Sequence, residues 1–270
     1  MDDKKTQKSI IIDVSAQKNA HVNRSFQMPL FPIEIIETYP NNQGSADLTL
    51  IGKGRDGKHY AIKTIRDNGG YVPASEFFCY SLARLVSIPT PAFDSVQLTP
   101  GDIAFGSVWE GGVTTIRTDI ELFKILNGQV VIDDLNVFFG KVYGFDLFIN
   151  NEVRHFGNYI FRDSFNNSKI ALAFDFSRAW KVTDPFGYQC LEKTSNTVAC
   201  NEVIRKFGKF DRDAAIAVLD EIKVISKESI VQIFSLMHDS WFSNDDQAII
   251  LEWWGSREFV ERIERLKRAI

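Results

Sequence analysis

The chain has 270 residues, of which 44% are hydrophobic and 13% aromatic, so it can bury the core of one large domain or of two small lobes. Its 31 basic and 35 acidic residues give a net charge of −4, which argues against direct binding to nucleic acid or to an anionic membrane surface. Its apolar runs are too short for a membrane span or a signal-peptide core, so we expect a cytoplasmic protein.

The first part of the chain is predicted to be rich in β-strand. Residues 1–28 are polar and lack a clear hydrophobic period, so we expect a flexible or peripheral arm there. Apolar runs separated by turn-forming residues then predict three strands, at residues 33–38, 48–51 and 59–65. Because the strands follow one another closely, the natural arrangement is an antiparallel meander.

A helix separates this meander from two further strands. Ser75 is placed to cap the helix and Pro89 to end it, and the strands are predicted at residues 93–98 and 103–108. Beyond Gly111 and Gly112 the pattern becomes helical, at residues 120–125, 133–149 and 203–270, with a β-hairpin over residues 159–161 and 170–174. We therefore expect a small sheet with one helix, a glycine-containing joint and a mostly helical remainder.

A lysine and a glutamate in the first part are candidates for contact with a nucleotide. Lys63 lies on the predicted strand Tyr60-Ala61-Ile62-Lys63, from which its side chain can reach the phosphates of ATP. The alternative is an edge lysine whose ammonium extends into water. Glu76, near the start of the next helix, can pair with Lys63, or it can simply favour the helix dipole.

Two glycine-containing stretches are candidates for a phosphate-binding loop. Residues 52–57 match the pattern G-x-G-x-x-G, but this stretch leads into a strand, whereas a dinucleotide-binding loop leads into a helix. We interpret it as a hairpin turn at Asp56 and Gly57. The better candidate is the turn that contains Gly44 and Ser45, whose backbone N–H groups and hydroxyl can face phosphate oxygens. A plain surface turn remains the alternative there.

Asn158 and Asp175 are candidate ligands for a metal ion. Asn158 lies on a predicted loop, and Asp175 follows 17 residues later at the end of a predicted strand. Two oxygen ligands from separate loops can hold Mg²⁺ against the phosphates of ATP, while water occupies the other coordination positions. The alternative is that Asn158 is a turn residue and Asp175 a helix cap or ion-pair partner.

Taken in order, these stretches resemble the HipA-like kinases, distant relatives of protein and lipid kinases. The resemblance covers residues 33–270 and is most specific over residues 145–158, where the family pattern is close to F-D-x-x-I-x-N-x-D-R-H-x-x-N. Further matching stretches are Tyr60-Ala-Ile-Lys63, Ser75-Glu76, residues 82–89, residues 105–111 and Phe174-Asp175. The resemblance implies an α+β, two-lobed, protein-kinase-like fold. Its N-lobe, residues 29–112, would hold an antiparallel sheet and one helix, and its C-lobe, residues 113–270, would be mainly helical.

The resemblance also implies roles for individual residues. Glu110 to Gly112 would form the hinge on which adenine docks, and Asn158 and Asp175 would bind the metal. The remaining positions would shape the catalytic loop: Asp146 as a structural acid, Asn151 as a loop amide, and Arg154 and His155 as supporting side chains. The implied cofactors are ATP and Mg²⁺.

One position departs from the family pattern. The catalytic aspartate of the family falls on Val153, which can neither accept a proton nor orient a hydroxyl group, and the neighbouring Glu152 is the candidate substitute. We therefore predict an ATP-dependent kinase that acts, with reduced turnover, on a Ser or Thr hydroxyl of a protein. The alternatives are a pseudokinase that serves as a nucleotide-binding interaction module, and a kinase of a small molecule or lipid. The protein substrate and any antitoxin-like regulatory partner are left unidentified.

Overall fold

The computed structural model describes residues 31–40, 50–111, 113–114, 119–164 and 168–270. These residues form a mixed α/β structure with eight α-helices and eight strands in two sheets. Within them, no helix is both long and apolar enough to cross a membrane.

Five strands close into a barrel in the order β1-β2-β3-β5-β4. They are β1 (Ile33–Pro40), β2 (Leu50–Gly54), β3 (His59–Lys63), β4 (Phe93–Thr99) and β5 (Asp102–Val108). The antiparallel pairing of β1 to β3 confirms the predicted meander. The prediction of an antiparallel sheet is corrected in one respect, because β1 also pairs with β4, in parallel, and closes the sheet into a barrel.

The interior of the barrel is small, and two glycines leave room for its side chains. It is filled by Ile35, Tyr60, Ile62, Val96 and Ala104. A Cβ atom on Gly52 would lie 2.5 Å from Cδ1 of Ile62, and one on Gly106 would lie 2.5 Å from Cγ1 of Val96. The barrel therefore requires glycine at these positions for packing, which is a structural reason for Gly52 within the G-x-G-x-x-G stretch.

Helix α1 (Val72–Leu85) follows the third strand, and its N-cap lies four residues earlier than predicted. Ser75 is not its cap, since Tyr71 holds that position and Pro73 lies in the first turn, where the missing N–H of proline costs nothing. Ser75 is instead completely buried, and its hydroxyl has no hydrogen-bond partner among the described residues. Glu76 consequently lies beyond the first turn and faces the interior.

The rest of the chain is mostly helical, with a small three-stranded sheet. Strands β7 (Tyr159–Asp163) and β8 (Lys169–Ala173) form the predicted hairpin, and β6 (Val113–Thr114) pairs with β7. The helices are α2 (Asp119–Leu126), α3 (Leu135–Phe148), α4 (Asn196–Lys206), α5 (Arg212–Lys223), α6 (Lys227–Leu236), α7 (Asn244–Trp253) and α8 (Arg257–Ala269). Gly140 and Gly144 let α3 approach the start of α5 closely. A Cβ on Gly140 would lie 2.1 Å from the carbonyl oxygen of Asp211, the N-cap of α5, and one on Gly144 would lie 2.3 Å from that of Ala215.

An aromatic core joins α1 to the helical part. Phe77 contacts Trp241, whose indole N–H donates a hydrogen bond of 3.0 Å to the carbonyl of Ile103 in β5. Phe78 packs on Trp180 and Phe234. Twelve of the fourteen residues of α1 are buried, so the packing of this core determines the position of the helix.

Candidate nucleotide and metal site

Lys63, at the end of β3, lies between two carboxyl groups. Its Nζ atom is 2.6 Å from Oε1 of Glu76 on α1 and 2.5 Å from Oδ1 of Asp175, which follows β8. The lysine side chain is 7% exposed and that of Glu76 is 1% exposed, so the alternative of a lysine extended into water is wrong. The helix-dipole alternative for Glu76 is also wrong, because this residue lies outside the first turn.

The electrostatics of this cluster follow from burial and from the pairing. Burial alone would lower the pKa of Lys63, but the charges of Asp175 and Glu76 outweigh it and hold the pKa above its usual value. Burial would likewise raise the pKa of Asp175, but Lys63 holds it well below its usual range. For Glu76 burial is the stronger influence, and its pKa is raised. Asp175 is therefore ionised at neutral pH and can act as an oxygen ligand.

Asp175 is held by three side chains, two of them distant from it in the chain. Besides Lys63, the hydroxyl of Ser177 donates to Oδ1 at 2.7 Å and the amide of Asn158 donates to Oδ2 at 3.2 Å. The backbone of Asp175 is in the left-handed region, with φ of 61°. A non-glycine residue held in this conformation is typical of sites where the surrounding structure imposes the geometry. The predicted proximity of Asn158 and Asp175 is present in the structure.

A buried ion pair organises the loop that carries Asn158. Arg154 donates two hydrogen bonds to the carboxylate of Asp146, at 2.8 and 2.9 Å, and Asn151 donates a third at 2.9 Å. Nη1 of Arg154 also donates to the carbonyl groups of Asn158 and Phe174, at 3.2 and 2.6 Å. One guanidinium therefore connects the loop that ends at Asn158 with the segment that enters Asp175.

His155 begins a short 3-10 helix over residues 156–158. Its Nδ1 accepts a hydrogen bond of 3.0 Å from the N–H of Gly157, and Oδ1 of Asn158 accepts one of 3.3 Å from the N–H of His155. Partial burial, together with the nearby charge of Arg154, lowers the pKa of His155. The supporting role expected for His155 stays a prediction.

Glu152 and Val153 are both half-buried on the same loop. The N–H of Val153 donates to Oδ1 of Asn151 at 3.3 Å, and the carbonyl of Glu152 accepts from the hydroxyl of Ser195 at 3.1 Å. These bonds involve backbone groups of the two residues. The role of the Glu152 carboxylate as a substitute base stays a prediction.

The glycine stretch at residues 52–57 is a hairpin turn, as predicted. Lys53 pairs with His59 across β2 and β3, and the N–H of Gly57 donates to the carbonyl of Gly54 at 2.9 Å. Gly44 and Ser45 lie outside the described residues, so their proposed contact with phosphate stays a prediction.

In the predicted hinge, the side chain of Glu110 pairs with Arg162 of β7 at 3.4 Å. Gly112 lies outside the described residues. The docking of adenine at this hinge stays a prediction.

Two groups near the site were not foreseen from the sequence. The N–H of Phe176 donates to Oε2 of Glu76 at 3.1 Å, and Ser177 donates to Asp175. The serine had a local signal, since a hydroxyl two residues after an aspartate can reach that carboxylate in a tight turn. The Phe176 contact had none, because 100 residues separate its two partners.

The donor set fits Mg²⁺ bound together with a nucleotide. The described residues contain no group of three or more His, Cys, Asp or Glu side chains that would hold a metal by themselves. Mg²⁺ in nucleotide sites is instead held by one or two protein ligands plus phosphate oxygens and water. This arrangement fits a site that takes a cation. Asp175 is ionised, the amide of Asn158 lies beside it, and two carboxyl groups, one of them that of Asp175, face a single ammonium.

Comparison with known proteins finds similarity only among solved structures. No protein-family model matches the chain, and no curated protein matches it. The proinflammatory kinase CtkA of Helicobacter pylori is similar over 88% of this chain and 99% of its own, with 13% identity and a TM-score of 0.47. HipA of Shewanella oneidensis MR-1, from a toxin–antitoxin complex with HipB and operator DNA, is similar over 87% of this chain and 65% of its own, with 11% identity and a TM-score of 0.49. The roles of individual residues rest on the contacts within this chain.

Proposed function

We propose that this chain is a HipA-like kinase that binds Mg-ATP and transfers the γ-phosphate to a Ser or Thr hydroxyl of a protein. The observation that carries the proposal is the convergence of Glu76 and Asp175 on Lys63, at 2.6 and 2.5 Å. A buried lysine between a helix carboxylate and a second acid beside an asparagine is the arrangement that kinases use to hold nucleotide phosphates and their metal.

Each residue of the cluster has a separate part in this function. Lys63 binds the phosphates of ATP, and Glu76 holds the lysine in place. Asp175 and Asn158 hold Mg²⁺, which supplies neutralisation of the charge that develops on the phosphate oxygens. The barrel and α1 form the N-lobe over residues 29–112, and the helical remainder over residues 113–270 forms the C-lobe, with adenine at the hinge that begins with Glu110.

Transfer is expected to be slow because Val153 occupies the position of the base. A positioned general base contributes about 10²–10⁴-fold to a rate. Phosphoryl transfer depends mostly on positioning and electrostatic stabilisation, so the loss of the base reduces turnover without abolishing it. A Glu152 carboxylate turned toward the acceptor would restore part of this contribution.

A pseudokinase is the second candidate, favoured by the same residue. Val153 has an aliphatic side chain where the resemblance requires an acid, while Lys63 and Asp175 are in contact. Such a protein binds nucleotide and responds by a change in conformation or partner affinity. The two candidates share the nucleotide site and differ only in phosphate transfer.

Thermal unfolding with and without Mg-ATP tests the shared site. Binding to the folded state raises the melting temperature, by an amount that grows with ligand concentration. Asp175→Asn is expected to remove most of this rise. Asp220→Asn is the matched control, since Asp220 is an exposed residue of α5 that pairs with Lys267. If millimolar Mg-ATP leaves the melting temperature of the wild type unchanged, the nucleotide site is wrongly assigned. If Mg-ATP raises it, transfer of phosphate from γ-labelled ATP separates the two candidates.

A further inference from the structure

The hydroxyl of Thr197 bridges two backbone groups of the candidate catalytic loop. Thr197 lies in the first turn of α4 and is 1% exposed. Its Oγ1 accepts a hydrogen bond of 3.1 Å from the N–H of Arg154 and donates one of 2.6 Å to the carbonyl of Asn151. The bridge therefore spans two residues. Val153 occupies the position of the family's catalytic aspartate, and Glu152 is the candidate substitute for it.

The start of α4 makes two further contacts with the same loop. The carbonyl of Glu152 accepts hydrogen bonds from the hydroxyl of Ser195, at 3.1 Å, and from the N–H of Thr197, at 3.3 Å. Ser195 also caps α4 by accepting the N–H of Thr197. Backbone groups of three loop residues are thus bonded to one helix terminus, 43 to 46 residues away in the chain.

These bonds determine the orientation of the peptide groups around residues 152 and 153. The carbonyl of Asn151 and the N–H of Arg154 belong to the peptide groups on either side of this pair, and Thr197 bonds both. Since the direction of a side chain follows from the backbone that carries it, the two bonds from Thr197 restrict the backbone from which Glu152 and Val153 project. On the opposite side the loop is held by Asp146, which accepts from Asn151 and Arg154.

We propose that Thr197 is a positioning residue for phosphoryl transfer, acting through the backbone of residues 151–154. This inference rests on the proposed kinase function. The Thr197 hydroxyl keeps residue 153 close to the place where the acceptor hydroxyl would meet the nucleotide. That nucleotide is the one held by Lys63 and Asp175. Thr197 itself contacts neither the nucleotide nor the acceptor, so its loss changes the transfer step and leaves nucleotide binding in place.

The test compares Thr197→Val, which removes the hydroxyl and keeps the shape, with Thr197→Ser, which keeps the hydroxyl. We expect Thr197→Val to lower kcat on the order of ten- to a hundredfold, the effect of a small misplacement of reacting groups. The KM for Mg-ATP and the rise in melting temperature caused by Mg-ATP should stay at wild-type values. Thr197→Ser should retain most of kcat. Thr197→Ala replaces the valine variant if that variant does not fold.

Ser256→Ala is the matched control for a general loss of stability. Ser256 caps α8 by accepting the N–H of Phe259, as Ser195 caps α4, and no hydrogen bond among the described residues joins it to residues 151–154. The role of Thr197 is overturned if Thr197→Val lowers kcat no more than Ser256→Ala does, or if Thr197→Ser loses as much activity as Thr197→Val. If Mg-ATP binds but neither wild type nor Val153→Asp transfers phosphate, the kinase function fails, and the role of Thr197 fails with it.

Discussion

Phe78 on α1 stacks face to face on Trp180, with ring centroids 4.0 Å apart and an angle of 7° between the ring planes. Phe78 lies two residues after Glu76, and Trp180 lies five residues after Asp175. This contact therefore joins the two segments whose carboxyl groups meet at Lys63. The geometry of the candidate site depends on a packed aromatic core as well as on the ion pairs themselves.

Replacing Phe78 with alanine is expected to weaken both the fold and the site. Removing a fully buried phenylalanine costs about 3–5 kcal/mol in the free energy of unfolding. The variant should also show a smaller rise in melting temperature with Mg-ATP, because α1 is no longer held against Trp180. Phe123→Ala is the control, since Phe123 is 51% exposed on α2. Urea unfolding measures the free energy of unfolding of both variants. If it falls equally in the two, the Phe78 contact has no special role.

Placing an acid on the catalytic loop is expected to increase phosphate transfer. Val153→Asp restores a carboxylate at the position that the family pattern reserves for it, and the gain in kcat should be about 10²-fold or more. Incorporation of phosphate from γ-labelled ATP, into the protein itself or a generic protein substrate, measures the change. Glu152→Ala distinguishes the alternatives. If this variant abolishes a robust wild-type activity, Glu152 is the working base and the protein is a kinase with a shifted carboxylate. Wild-type rates of roughly 1–100 per second, usual for kinases, would rule out the pseudokinase.

Asp94 on β4 is expected to make stability depend on pH. Burial raises the pKa of Asp94 to about 6, against the partial compensation of a hydrogen bond from the N–H of Ser95. Because the folded state binds this proton more tightly than the unfolded chain does, stability should fall as the pH rises from about 4 to about 6. The free energy of unfolding of Asp94→Asn, relative to that of wild type, should therefore increase by about 1 kcal/mol between about pH 4 and about pH 7.5. This figure allows for solvent screening. Urea unfolding at the two pH values measures the difference, and a difference that does not change with pH would show that Asp94 titrates normally.

Much of the fold could be predicted from local patterns. The strands near Ile35, Ile62 and Phe93 were found because alternation of apolar residues and turn-forming residues between them depend only on neighbouring positions. The closure of the barrel was missed, since the parallel pairing of Ile33 with Val96 leaves no local pattern. The start of α1 was misplaced because Ser75 resembles a cap in isolation, whereas its complete burial comes from packing against the helical part.

The candidate site divides in the same way. The residue types and their order along the chain selected Lys63, Glu76, Asn158 and Asp175 only together with the resemblance to the HipA-like kinases. The chemistry of phosphate and Mg²⁺ calls for an ammonium and oxygen ligands on separate loops, and the roles of these residues stay predictions. Only the tertiary structure brings Nζ of Lys63 to 2.5 Å from the carboxylate of Asp175, 112 residues later in the chain. The same holds for the bonds from Thr197 to the loop, which depend on how the start of α4 packs against residues 151–154. Hydrophobic periodicity reports which face of an element is buried, and it does not report which distant segment covers that face.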